Sequence, residues 1–108
     1  MSWPHRIRLR APWLNECLPG GVRLRRGFNC PTGLEATSRV WIVVEDLATG
    51  GTFKFNGELL GPLLPSVVNE FDVTAWLVSR NEVCLDLETG DLASLAQPEG
   101  VRIEIRST

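Results

Sequence analysis

Apolar and polar positions alternate over short stretches along this chain, and the first unbroken apolar run is Val40 to Val44. Five such residues, all of them β-branched or aromatic, are too few for a lone helix. They predict a central strand covered on both faces. Thr52 to Phe55 alternates, with Phe53 and Phe55 facing one way and Thr52 and Lys54 the other. Asn56-Gly57 follows directly. Both residues tolerate positive φ, so the dipeptide predicts a tight hairpin. Glu58 to Gly61 reads as the return strand, broken by Pro62 and Pro65.

The same reading applies on either side. His5 to Ala11 sets Ile7, Leu9 and Ala11 on one face and Arg6, Arg8 and Arg10 on the other, a half-buried strand near a sheet edge, where an arginine row discourages edge-to-edge association. Pro12 stops it, and Trp13 to Gly21 reads as a loop ended by Pro19-Gly20-Gly21. Val22 to Phe28 is a strand whose parity turns Arg26 inward with Val22, Leu24 and Phe28. A bulge at Arg26-Gly27 would re-aim it, and a buried carboxylate would neutralise it; the bulge is the commoner solution. Pro31 to Ser38 is a loop and Val67 to Phe71 a strand. Thr74 is placed to cap one helical turn, with Val73 stapled against Val78. Glu82 to Glu88 alternates with Val83, Leu85 and Leu87 inward and Cys84 outward. Thr89 to Gly100 is a long loop with a helical turn at Leu92 to Ala96, ended by Pro98. Val101 to Arg106 closes the chain with Val101, Ile103 and Ile105 inward.

Seven or eight short strands with almost no helix predict an all-β protein, a single antiparallel β-sandwich over 1–108. Strand spacing alone leaves an immunoglobulin-like topology and a jelly roll both open.

Charge changes the picture only locally. The net charge of −2 argues against a nucleic-acid binder, which needs a basic excess to displace counterions. Six arginines nevertheless fall within residues 1–26 against one acid, Glu16. Strand pairing of basic with acidic outer faces accounts for this, and a basic patch for an acidic ligand is the sharper alternative. No apolar run reaches the roughly 20 residues of a membrane span, and the N-terminus lacks an apolar signal segment, so the expected location is cytoplasmic. Cys17, Cys30 and Cys84 have neither an even count nor a CxxC spacing, which predicts free thiols in a reducing compartment. A Cys17–Cys30 bridge flanking one strand is the alternative.

Five segments in order carry a resemblance: V-R-L-R-R-G-F (22–28), R-V-W-I-V-V-E (39–45), T-F-K-F-N-G-E-L-L-G (52–61), F-D-V-T-A-W-L (71–77) and R-N-E-V-C-L-D-L (80–87). Together they resemble the N-terminal sugar-binding domain of the family 2 glycoside hydrolases, which include β-galactosidase and β-glucuronidase, and more broadly the galactose-binding-like jelly roll. The resemblance covers roughly residues 22–88 and departs at Asn81, which no glycine precedes. It implies a jelly roll and a sugar-binding ancestry without the barrel that carries the catalytic carboxylates. It also raises a structural calcium ion, although no ligand loop for one is recognisable and no cofactor is otherwise expected.

The residue chemistry points away from catalysis. The single histidine, His5, supports no Ser-His-Asp or Cys-His arrangement. Glu45-Asp46 is the obvious carboxylate pair, but neighbours on a strand point to opposite faces, so it makes a poor dyad. Both read as loop solvation, or at best as calcium oxygens. Binding is better supported, because sugar sites combine an exposed aromatic ring with polar side chains. A loop presenting Trp13, Asn15 and Glu16 is the candidate ligand site. The competing reading folds Trp13 back as a lid over the sandwich end. Trp41 and Trp76 are assigned to the core, and the lack of tyrosine counts against a stacking platform. A different class of function, protein interaction or homo-oligomerisation, would use Arg6, Arg8 and Arg10 with Arg23 and Arg25 on an exposed sheet face.

Overall fold

The computed structural model describes residues 5–10, 12–88, 98 and 100–107. Among the described residues nine strands follow in chain order: β1 His5–Arg8, β2 Leu14–Leu18, β3 Gly21–Asn29, β4 Ser38–Val44, β5 Gly51–Phe55, β6 Glu58–Leu63, β7 Asn69–Asp72, β8 Arg80–Glu88 and β9 Val101–Ser107, with a 3-10 turn at Thr74–Trp76. They form two antiparallel sheets, one ordered β1-β9-β4-β7 and the other β2-β3-β8-β5-β6. The expected all-β jelly-roll sandwich is the architecture found.

Parity decides what lies between the sheets. Val40, Ile42 and Val44 of β4 and Val101 and Ile103 of β9 meet Val22, Leu24 and Phe28 of β3, Val83 and Leu85 of β8, and Phe53 and Phe55 of β5 in one buried cluster. Phe53 stacks on Phe71, with ring centroids 4.2 Å apart. Asn56 and Gly57 both take positive φ, 50° and 83°, in the hairpin joining β5 to β6. This is the left-handed pair that a tight two-residue reversal requires.

Several expectations are corrected. Residues 14–18, read as loop, form strand β2, paired with β3 from Leu14↔Arg25 to Leu18↔Gly21. β6 runs through Pro62 because it is an edge strand, where a missing N–H breaks no ladder. Among the described residues Arg26 neither sits on a bulge nor meets a carboxylate. The β3–β8 register runs without a shift, and the half-buried guanidinium donates to the carbonyls of Arg10 (2.8 Å) and Gly27. Trp41 points to the outer face of its sheet, and Trp76 is 40% exposed, so neither is a core residue. Thr74 opens a 3-10 turn without capping it, and its hydroxyl accepts from the Val40 N–H at 2.8 Å. Val73 lies in the core while Val78 is exposed, leaving no staple. Cys84 points outward but is buried under its neighbours, and all three cysteines are free thiols. The helical turn expected at 92–96 lies outside the described residues.

Candidate functional site

The three residues singled out from the sequence are not brought together. Trp13 is 4% exposed and packs in the core cluster, its indole N–H donating to the Leu9 carbonyl at 3.4 Å. This is the lid arrangement, with the ring closing the sandwich where the chain passes from β1 to β2. Asn15 and Glu16 are exposed neighbours on β2, opposite Leu24 and Arg23, so their side chains leave from opposite faces. Glu16 is engaged by Arg25 at 3.0 Å.

Two clefts open elsewhere. One, of about 410 Å³, lies along the β1 edge and is lined by His5, Ile7, Ile105 and the segment Pro31 to Leu34; its walls are mostly apolar. The second, about 200 Å³, is polar and is lined by Arg8, Glu45, Asp46, Gly100, Val101 and Arg102.

The local sequence builds the polar cleft. Arg8 and Arg102 face each other across the β1–β9 ladder and share its outer face. The chain leaves β4 after Val44, and the Glu45 N–H donates to the Gly100 carbonyl at 2.9 Å. That closeness demands glycine, because a side chain at position 100 would run into the Glu45 carbonyl. Asp46 then adopts φ 62°, a left-handed conformation that Asp tolerates better than most residues. The reversal undoes strand alternation, so Glu45 and Asp46 line the same cleft instead of opposite faces. Sequence reasoning missed this because the alternation rule holds only while the strand continues. The signal available was two carboxylates at the end of a buried apolar run.

Charge in the cleft is only partly neutralised. Arg102 pairs with Glu45 at 3.0 Å and with Glu104 at 2.6 Å. Burial works against the Arg102 charge, but the hydrogen bond it donates to Glu104 and the field of Glu45 outweigh it and raise its pKa. Arg8 and Asp46 make no hydrogen bond or ion pair among the described residues. One cation and one anion are therefore free on the lining of the same small hollow.

Several other charges are paired within the fold. Glu104, 4% exposed, accepts from Arg102 and Arg106 and faces Arg6 at 3.5 Å. On the other sheet Asp86 takes a bidentate contact from Arg23, at 2.7 and 3.1 Å, and lies 3.3 Å from Lys54. Basic strands thus lie beside acidic ones. Among the described residues, no three His, Cys, Asp or Glu side chains gather as a metal site requires, and no helix is long and apolar enough to cross a membrane.

The fold is a two-sheet antiparallel β-sandwich, and solved structures share it. An FMN-binding β-glucuronidase from Facaelibacterium prausnitzii L2-6 superposes with a TM-score of 0.65 at 19% identity, over 81% of this chain and 16% of its own. The Bifidobacterium dentium β-glucuronidase, solved with coumarin-3-O-glucuronide, gives 0.64 at 18% identity, over 82% of this chain and 22% of its own. The chain thus spans a small part of these enzymes, and the likeness is one of fold. No family model matches the chain, and no curated protein does.

Proposed function

We propose that this chain is a non-catalytic recognition module whose ligand is a carbohydrate or a similar polyhydroxylated small molecule, held in the polar cleft between Arg8 and Asp46. The observation that carries the reading is the pair of unspent opposite charges on the lining of one hollow. A sugar hydroxyl both donates and accepts, so it can accept from a guanidinium and donate to a carboxylate, bonds stronger than those between neutral groups. At about 200 Å³ the hollow is smaller than the roughly 300–1,000 Å³ pockets that enclose drug-sized ligands, which suits a shallow seat for one ring. The fold shared with two β-glucuronidases supports the reading, although fold alone does not assign function.

Binding to a glycan array tests it, with Arg8→Ala and Asp46→Ala as the informative variants. A signal in the parent that both substitutions remove supports the site; a signal indifferent to both, or none at all, refutes it.

A second reading is a protein-interaction module. Its support is the loop after β6, where Leu64, Val67 and Val68 are exposed while the buried Asn69 amide holds the loop by bonds to the Leu64, Val67 and Val44 carbonyls. A rigid apolar loop of this kind marks contact surfaces.

A further inference from the structure

The two sheets have four edge strands, and three are blunted against pairing. β1 is four residues long and carries Arg6 and Arg8. β6 contains Pro62 and a register shift where it meets β5. β7 has four residues and carries Glu70 and Asp72. Short length, charge, proline and bulges are the usual means of stopping a sheet from growing at its edge.

β2, five residues long, has fewer of these defences. Leu14-Asn15-Glu16-Cys17-Leu18 pairs in regular register with β3, contains no proline or bulge, and carries one charge, already engaged by Arg25. Among the described residues nothing pairs with its outer edge. Leu14 is 71% exposed, which the protein interior does not explain.

The order of residues in β2 is also symmetric in character about Glu16. Antiparallel pairing of β2 with β2 of a second copy, centred on Glu16, sets Leu14 across from Leu18 of that copy and Asn15 across from Cys17. In a two-fold interface residue i meets residue j of the partner copy and j meets i, so each of these contacts occurs twice. The one unfavourable contact is Glu16 facing Glu16, and each carboxylate has an Arg25 guanidinium 3.0 Å away in its own chain. From the contrast among the edges and the symmetry of this strand, we infer that the chain forms a two-fold homodimer through β2, joining two five-stranded sheets into one of ten strands. The inference is independent of the proposed ligand, whose cleft lies at the outer face of the other sheet.

Sedimentation velocity of the whole chain, from micromolar to millimolar concentration, tests it with two variants. Asn15→Lys, which puts a charge on the shared edge, should leave a monomer with an unchanged thermal melt. Glu16→Gln, which removes the like-charge contact, should tighten the dimer by about two- to fivefold. A monomer throughout the range, or a dimer that Asn15→Lys leaves intact, overturns the proposal. Hydrogen exchange gives a second readout: protection of the β2 amides should rise with concentration while β6 does not change, and equal protection at all concentrations counts against the interface.

Discussion

The guanidinium of Arg106 lies over the indole of Trp41, 4.6 Å from the ring centroid, on the outer face of the four-stranded sheet. Trp41 sits between Glu104 and Asp72 in the ladder, and Arg106 also reaches Glu104 at 2.8 Å and Glu70 at 2.6 Å. An aromatic ring that points away from the core is thus roofed by a cation, and the arginine is fixed by carboxylates on two strands. Val43, on the same outer face, is fully buried, which is consistent with long arginine stems lying over it.

Glu104 is the hub of this layer, so its loss should be costly. Glu104→Ala is expected to destabilise the fold by about 1–3 kcal/mol, less than the removal of a partner from a fully buried pair, because the arginines around it are partly solvated. Urea unfolding at neutral pH checks this; a midpoint equal to that of the parent would show the network to be dispensable.

Acid should weaken the fold for a related reason. Arg23 and Lys54 hold the Asp86 carboxyl below its ordinary value. Burial pushes Asp72 and Glu104 upward, but hydrogen bonds from Thr74 and Arg39, and from Arg102 and Arg106, outweigh it and leave both lowered. Folded-state values below the ordinary 3.8 and 4.5 mean that the unfolded chain binds more protons in that range. Stability is therefore complete above those ordinary values and falls as pH drops through the folded ones. Denaturant midpoints compared at pH 6 and pH 3 should show the loss, and Glu104→Gln should make it shallower.

Much of the fold was legible in the sequence, and the misses have physical causes. β5, β8 and β9 each have one face in a shared core, so their apolar period of two is imposed by packing, while β4 was legible as an unbroken apolar run. The Asn56-Gly57 reversal was legible because its backbone admits few residues. β2 was not, because Leu14 to Cys17 are exposed on both faces and no burial writes a pattern onto them. The outward position of Trp76 was not legible, because parity has no meaning in a 3-10 turn. The polar cleft was illegible for a different reason: it joins Arg8, Glu45, Asp46 and Arg102 from three separated stretches, and it needs the left-handed Asp46 to do so.

The three thiols should react at different rates. Cys17 is exposed and Cys30 half-buried, whereas burial pushes the Cys84 thiol up to about 11 from 9.0, with Asp86 adding to the shift. Alkylation followed by mass spectrometry at pH 8 should label Cys17 first and leave Cys84 unmodified until the chain is unfolded. Rapid labelling of Cys84 in the native state would contradict its burial beneath the neighbouring side chains of the outer face.

The hairpin offers a backbone test. Gly57 at φ 83° has no steric obstacle around it, so Gly57→Ala probes conformation alone. Its expected cost is about 1–2 kcal/mol, the penalty for an L-residue held in the left-handed region. A thermal melt with no loss would mean that the turn can adopt another form.

The recognition reading depends most on where a ligand sits, and amide shift mapping during a titration with glycans addresses this directly. The account predicts that a bound sugar perturbs the amides of Arg8, Glu45, Asp46, Gly100 and Arg102 in a saturable way, and that Asp46→Ala abolishes the effect. Saturable shifts confined to β2 and the surroundings of Trp13, or none with any glycan tested, would contradict it.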